Sequence, residues 1–173
     1  MCKKAIEQVS HRAISIRALY VEESAGRFDR LREYLRTHPR EGIGAEPMHG
    51  DFIAITGDIL DWVGPRAFAF FFIDPKGWSP IGIPILRPLL ARRNSEFLIN
   101  FMYYSVNRTL SMAEWQPRMV ELLGKALELE GMQSSERETT IVNTYRQSLK
   151  AEMATNAPRS AYVRVLNPVE DRP

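Results

Sequence analysis

The chain has 173 residues and a formal net charge of +2, and 45% of its residues are hydrophobic. These values predict one globular domain, over residues 1–173, with a sizeable core. The single cysteine, Cys2, excludes an internal disulfide and a cysteine-rich metal site. No apolar run approaches the roughly 20 residues that a membrane-spanning helix needs, and no signal-peptide pattern is present, so we expect a cytoplasmic protein without a membrane partner.

Helical and extended patterns alternate through the first half of the chain. In chain order we predict a helix over Cys2–Arg12, a strand over Ile16–Val21, a helix over Ala25–Thr37, a loop to about Pro47, a strand over Met48–Phe52, and a helix through Ile55, Ile59 and Trp62. The two strands end in acidic residues, which makes their ends candidate sites.

The alternation continues in the second half. We predict a strand over Phe68–Ile73, a helix over Pro84–Arg92 despite Pro88, a strand over Glu96–Phe101, an amphipathic helix from Ala113 through Leu127, a helix from Ser135, and a last strand over Ala161–Leu166. Alternating strands and helices are typical of βαβ units. The sequence therefore predicts the α/β class, with a Rossmann-like, mainly parallel sheet flanked by helices.

The aromatic run Phe68–Ile73 stops abruptly at Asp74-Pro75. A strand without polar alternation is typical of burial on both faces of a parallel sheet. Ligands of open α/β sheets bind outside the carboxyl ends of the strands. Asp74 is therefore the first candidate site residue.

Three predicted strands end in acids, at Glu22 or Glu23, at Asp51 and at Asp74. In a parallel sheet these side chains would gather at one edge, as in a nucleoside pocket. A carboxylate can accept two hydrogen bonds from the vicinal hydroxyls of ribose, and Glu22 fits that role best. Asp51 could accept a bond from an adenine amino group, with Phe52 flanking the ring, and Asp74 would face the substrate.

Each acid also has a simpler structural interpretation. Glu22 could be an exposed acid at a strand end, and Asp51 could be the N-cap of the helix that follows it. Asp74-Pro75 could form a tight turn without any chemistry.

Several segments carry a resemblance to a known family. They are Tyr20-Val21-Glu22, Gly50-Asp51, Phe72-Ile73-Asp74-Pro75-Lys76-Gly77-Trp78, Glu96 to Met102, Ser105 to Arg108 and Tyr145 to Lys150. Together they resemble the three-Cys-motif partner protein family, over roughly Ile16 to Pro168. The resemblance implies a class I methyltransferase-like fold, S-adenosylmethionine as cofactor and a cysteine-motif protein as partner.

Individual residues can be assigned candidate roles. Asp74, Pro75 and Trp78 form the candidate catalytic segment, and the candidate substrate-binding residues are Lys76, Gly77, Asn100 and Arg108. Asn100 could line the pocket or could equally satisfy backbone groups at the strand end, and Arg108 could contact phosphate. Lys76 stands where the family usually has an aromatic residue, so the stacking surface would rest on Trp78.

One part of the family pattern is absent from this sequence. The first strand and its glycine-rich turn, which bring backbone close to the cofactor, are not found. The sequence also stops about where the family would start its last antiparallel strand, so we expect a domain truncated at both ends. A catalytically inert module that pairs with a second protein is the alternative. A missing core strand would leave an exposed sheet edge, so we also expect association into homo-oligomers.

A second alternative is an amino-directed, DNA-associated methyltransferase-like protein, because Asp74-Pro75 is followed by an aromatic residue and such enzymes flip their target base. The basic residues are mostly arginine, which favours fixed contacts to phosphate. His11, His38 and His49 show no ligand spacing, so we predict no metal site.

Overall fold

Residues 14–153 are described by a computed structural model. The elements, renumbered here, are β1 (Ile16–Glu22), α1 (Ala25–Thr37), β2 (Ile43–His49), α2 (Thr56–Val63), β3 (Ala69–Ile73), α3 (Ile83–Leu90), β4 (Ser95–Ile99), α4 (Tyr103–Thr109), α5 (Gln116–Leu123) and α6 (Ser134–Glu152), with short 3₁₀ turns at Ser79–Ile81 and Ala113–Trp115. The helix predicted over Cys2–Arg12 and the strand predicted over Ala161–Leu166 lie outside the described residues.

The strands form two parallel pairs. β1 pairs with β2 from Ile16 opposite Ile43 to Glu22 opposite His49, and β3 pairs with β4 from Ala69 opposite Ser95 to Ile73 opposite Ile99. The α/β class and the parallel pairing are confirmed. The described residues contain two separate two-stranded sheets, where the sequence predicted one larger sheet.

The described chain divides into two compact units, residues 14–58 and residues 59–153. In the first unit, α1 packs on β2 and β1, and no described hydrophobic side chain is fully buried. In the second unit, α3, α5 and α6 contact one another and α4 contacts α6. The buried hydrophobic core of the described chain therefore lies in the second unit, and no helix of the described residues is long and apolar enough to cross a membrane.

The second strand begins earlier than predicted. The loop predicted to about Pro47 was wrong, because β2 starts at Ile43 and pairs along its whole length with β1. Gly42 supplies the turn with a positive φ of 76°, and parallel pairing then accommodates Gly44 and Pro47 despite their low strand propensity. At the other end, Gly50 turns the chain away with φ 156°.

Helix α4 was not predicted. Its aromatic, β-branched and polar residues give a weak helical signal, but Tyr103, Val106 and Thr109 are buried on one face, so tertiary packing overrides propensity. The helix predicted through Leu127 stops at Leu123, because Gly124 adopts the left-handed conformation at its C-cap.

The prediction that Phe68–Ile73 is buried on both faces was wrong. Ala69 and Ile73 are buried, but Phe70 and Phe72 are 59% and 63% exposed, and Leu98, opposite Phe72 on β4, is 36% exposed. The run is apolar on both faces, whereas only the face of Ala69 and Ile73 is buried. We call Phe70, Phe72 and Leu98 the aromatic face.

Arg92 follows α3 and holds together the loops that begin β3 and β4. Its guanidinium donates to the carbonyl oxygens of Gly64 (2.6 Å), Ala67 (2.7 Å), Arg93 (2.6 Å) and Asn94 (3.3 Å). Asn94 has a positive φ of 55°, a conformation that requires support from its surroundings. Arg92 therefore has a structural role at the start of both strands.

We expect Arg92→Ala to lower the free energy of unfolding by about 2 kcal/mol, because hydrogen bonds from a charged donor contribute about 1.5–3 kcal/mol. Arg93→Ala is the matched control, since its side chain is exposed and should change stability by less than about 0.5 kcal/mol. Urea denaturation of both variants measures the difference. Equal losses for the two variants would contradict the role of Arg92.

Candidate functional site

The carboxyl ends of β1 and β2 meet at one edge of the first unit. Glu22 lies opposite His49 in the register, and the backbone N–H of Gly50 donates to the Glu22 carbonyl at 3.1 Å. His49 Nε2 is 3.0 Å from the Glu23 carbonyl. These contacts bring Glu22 and Asp51 to the same edge, as the sequence predicted, and we call this region the Glu22 edge.

The Glu22 carboxylate is fixed by its neighbours. Its Oε1 accepts hydrogen bonds from the backbone N–H of Ser24 (2.8 Å) and from Arg27 Nε (3.1 Å). The Ser24 bond, together with the Arg27 charge, holds the pKa of Glu22 below its usual value. An ionised carboxylate has about four acceptor sites, so Glu22 can accept further bonds from hydroxyl groups.

Asp51 begins the turn that leads into α2. Its Oδ1 accepts the N–H of Ile53 at 3.2 Å, and its carbonyl accepts the N–H of Ile55 at 3.0 Å. The Ile53 bond is an Asx turn, and α2 begins only at Thr56, so Asp51 starts the turn over residues 52–55 and does not cap α2 directly. Phe52 is half-buried, and its carbonyl accepts a bond from the Thr56 hydroxyl at 2.9 Å.

Glycine at position 50 is required by the geometry of this turn. A Cβ added at Gly50 would lie 2.8 Å from Cγ2 of Ile55, closer than side-chain carbons approach. The chain therefore passes tightly from β2 into the Asp51 turn, and this keeps the Asp51 carboxylate at the end of the strand.

The carboxyl ends of β3 and β4 meet at a second edge, in the second unit. The backbone N–H of Asn100 donates to the Ile73 carbonyl at 2.9 Å, and its side-chain amide donates to Asp74 Oδ1 at 2.7 Å. The structure therefore brings together Asp74 and Asn100, which the sequence assigned to the catalytic and substrate positions. The amide fixes the carboxylate and leaves it acceptor capacity for a hydrogen-bond donor.

The loop after Asp74 holds four further predicted site residues, Pro75, Lys76, Gly77 and Trp78. Pro75 and Trp78 are half-buried, and Lys76 is exposed. Gly77 has a positive φ of 97°, and a Cβ there would meet nothing within 4 Å, so glycine is needed for the backbone conformation alone. The chain therefore bends between Lys76 and Trp78, just before the 3₁₀ turn Ser79–Ile81.

Arg108 lies in the last turn of α4 and is exposed. Among the described residues, no hydrogen bond or ion pair joins Arg108 or Lys76 to Asp74 or Asn100. The structure therefore brings two of the predicted site residues, Asp74 and Asn100, into contact. In the described part of the chain it shows no such contact to them from Lys76 or Arg108.

Three residues of these regions were not predicted from the sequence. Arg27 pairs with Glu22, and its position in the first turn of the helix after an acid-ended strand was a usable signal. Trp115 packs edge to face against Trp78 with ring centroids 5.8 Å apart, and Arg118 lies over Trp115 at 5.2 Å. The contact between Trp78 and Trp115 joins residues far apart in the sequence, so no local pattern indicated it.

Within residues 14–153 the structure has no group of three His, Cys, Asp or Glu side chains that could hold a metal ion. Comparisons with protein-family models, with curated proteins and with solved structures found no match.

Proposed function

We propose that the chain is a Rossmann-like, methyltransferase-like domain that binds S-adenosylmethionine, with Glu22 on the ribose hydroxyls, Asp51 on the adenine amino group and Phe52 beside the ring. The observation that carries the proposal is the ionised Glu22 carboxylate, held by Ser24 and Arg27 at the carboxyl edge of a parallel strand pair. This is where α/β sheets bind nucleosides. The resemblance to the three-Cys-motif partner protein family adds to it.

The residues present fit such a cofactor. Ribose offers two hydroxyl donors, and a carboxylate with remaining lone pairs is a suitable acceptor for them. The Asp51 carboxylate accepts a hydrogen bond from the Ile53 N–H. Its remaining lone pairs can accept a hydrogen bond from an exocyclic amino group. The cofactor, when bound, supplies an electrophilic methyl group.

At the second edge we propose that the Asp74–Asn100 pair orients the acceptor. The carboxylate, fixed by the Asn100 amide at 2.7 Å, would accept a hydrogen bond from an N–H or O–H group of the acceptor. Pro75 and Gly77 shape the loop, and Trp78 offers a ring surface. Lys76 and Arg108 are exposed cations that would contact an anionic part of the acceptor.

We expect Glu22→Gln to weaken binding of S-adenosylmethionine by at least about tenfold, because hydrogen bonds to a charged acceptor are worth about 1.5–3 kcal/mol. Glu23→Gln is the matched control, being the adjacent, exposed acid. Calorimetric titration of both variants measures the effect. Equal affinities for the wild type and Glu22→Gln would contradict the assignment of Glu22.

The pH dependence of binding provides a second readout of the same titration. Because the pKa of Glu22 is lowered, its carboxylate stays ionised through the usual glutamate range near pH 4.3. Affinity that depends on Glu22 should therefore persist to about that pH and fall only as the pH passes below it. A decline centred well above that range would point to another group.

The aromatic face favours a second candidate, a catalytically inert protein-binding module. Contiguous exposed apolar side chains typically mark interaction sites, and Phe70, Phe72 and Leu98 are exposed together. This candidate predicts that the chain does not bind the cofactor and that it associates with another protein chain. The double substitution Phe70→Ser and Phe72→Ser should abolish that association. Sedimentation velocity tests this candidate, with the wild type measured with and without a candidate protein partner and compared with the double variant. An association that the double substitution leaves unchanged would contradict the candidate.

A further inference from the structure

A cavity of about 390 Å³ lies in the second unit, beside α5. Its lining residues are Trp78, Ser79, Gly82, Pro84, Ile85, Arg118, Glu121 and Leu122. We propose that this cavity binds a small zwitterion with an apolar side chain, of the class of free aromatic α-amino acids. The proposal is independent of cofactor binding at the Glu22 edge.

Two opposite charges line the same wall of the cavity. Arg118 and Glu121 are three residues apart on α5, so their side chains are neighbours on the helix surface. Among the described ion pairs none joins them, and the Arg118 guanidinium lies instead over the Trp115 ring at 5.2 Å. The cavity therefore offers a separated cation and anion, which match the carboxylate and the ammonium group of an amino acid.

The rest of the lining is mostly apolar. Trp78, Ile85 and Leu122 supply ring and aliphatic surface, and Pro84 has no backbone N–H to desolvate. Trp78 is held edge to face against Trp115, so its ring is fixed before a ligand binds. The volume is within the range of about 300–1,000 Å³ that is typical of small-molecule pockets, and an aromatic side chain fits against this wall.

The mixed charge distinguishes this ligand class from nucleic acid. Single-stranded nucleic acids bind to aromatic rings along a positively charged groove. Here the Glu121 carboxylate stands beside Arg118 in the lining and would repel a phosphate, whereas it attracts the ammonium group of a zwitterion.

Tryptophan fluorescence tests the proposal directly. The chain has three tryptophans, and a Trp62→Phe background leaves Trp78 and Trp115 as reporters. We expect L-phenylalanine to change the emission saturably, with a Kd on the order of 1 mM for so small a ligand. Phenethylamine, which lacks the carboxylate, and hydrocinnamate, which lacks the ammonium group, should each bind about tenfold more weakly.

Charge variants assign each contact. Arg118→Gln should weaken phenylalanine binding about tenfold and leave phenethylamine unaffected, whereas Glu121→Gln should weaken phenylalanine binding similarly and leave hydrocinnamate unaffected. Arg93→Gln, exposed and outside the cavity, is the control. Circular dichroism checks that each variant is folded.

Three outcomes would overturn the proposal. The first is that phenylalanine causes no saturable change in emission at a concentration tenfold above the expected Kd. The second is that both charge variants lose the same affinity for all three probes. The third is that the emission responds to oligothymidylate but not to phenylalanine. The last result would mark the cavity as a nucleic-acid surface.

Discussion

Replacement of Tyr145 by alanine is expected to lower the free energy of unfolding by about 3–5 kcal/mol, the usual cost of removing a large aromatic side chain from a core. Tyr145 is fully buried in α6 and stacks on Phe101 with ring centroids 4.7 Å apart. Its hydroxyl donates to the Ile81 carbonyl at 2.7 Å. The side chain thus joins α6 to the segment after β4 and to the 3₁₀ turn before α3.

A second substitution separates the ring from its hydroxyl. Tyr145→Phe keeps the stacking but leaves the Ile81 carbonyl without this donor, so we expect a smaller loss of about 1–3 kcal/mol. Tyr104→Ala, at an exposed tyrosine of α4, is the control and should cost less than about 1 kcal/mol. Urea denaturation followed by circular dichroism measures all three. A Tyr145→Ala protein as stable as the wild type would mean that this core is not as described.

The second large effect is expected at Gly124, where substitution by alanine should lower the free energy of unfolding by about 2–4 kcal/mol. Gly124 ends α5 with a φ of 77°, which costs a non-glycine residue about 1–2 kcal/mol. A Cβ there would also lie 2.6 Å from the Ser148 hydroxyl oxygen. That oxygen donates to the Leu123 carbonyl at 2.5 Å, so it cannot move away without losing a hydrogen bond.

Gly131 provides a matched control for this prediction. Its φ of 76° is the same within a degree, but a Cβ there would meet nothing within 4 Å. Gly131→Ala should therefore lower the free energy of unfolding only by the cost of a positive φ in a non-glycine residue, about 1–2 kcal/mol. The difference between the two variants measures the effect of the Ser148 contact. Equal losses at both glycines, in the same denaturation experiment, would contradict the close packing of α5 on α6.

Element positions followed from the sequence where local signals were strong. Strand Ile16–Glu22 and helix Ala25–Thr37 were predicted within a residue, because an apolar run followed by Ser24 and an amphipathic period marks both. Strand Ile43–His49 was not, since its glycine and its proline suit a loop and only pairing with β1 makes it extended. Long-range pairing leaves no local signature.

The candidate residues could be predicted individually, but not their grouping. Acid-ended strands indicated Glu22, Asp51 and Asp74, and the sequence predicted them at one edge of one sheet, whereas they follow strands of two separate pairs. The hydrogen bond from Asn100 to Asp74 was not predicted. The exposure of Phe70 and Phe72 could not be predicted, because an apolar run does not show which of its faces will be covered.

The central claim is that the Glu22 edge binds the nucleoside part of S-adenosylmethionine, and hydrogen–deuterium exchange with and without this compound tests it most directly. We predict slower amide exchange on addition of the compound in residues 22–27 and 50–55, with the protection lost in Glu22→Gln and retained in Glu23→Gln. No protection in these two segments, or protection that Glu22→Gln leaves intact, would contradict the claim.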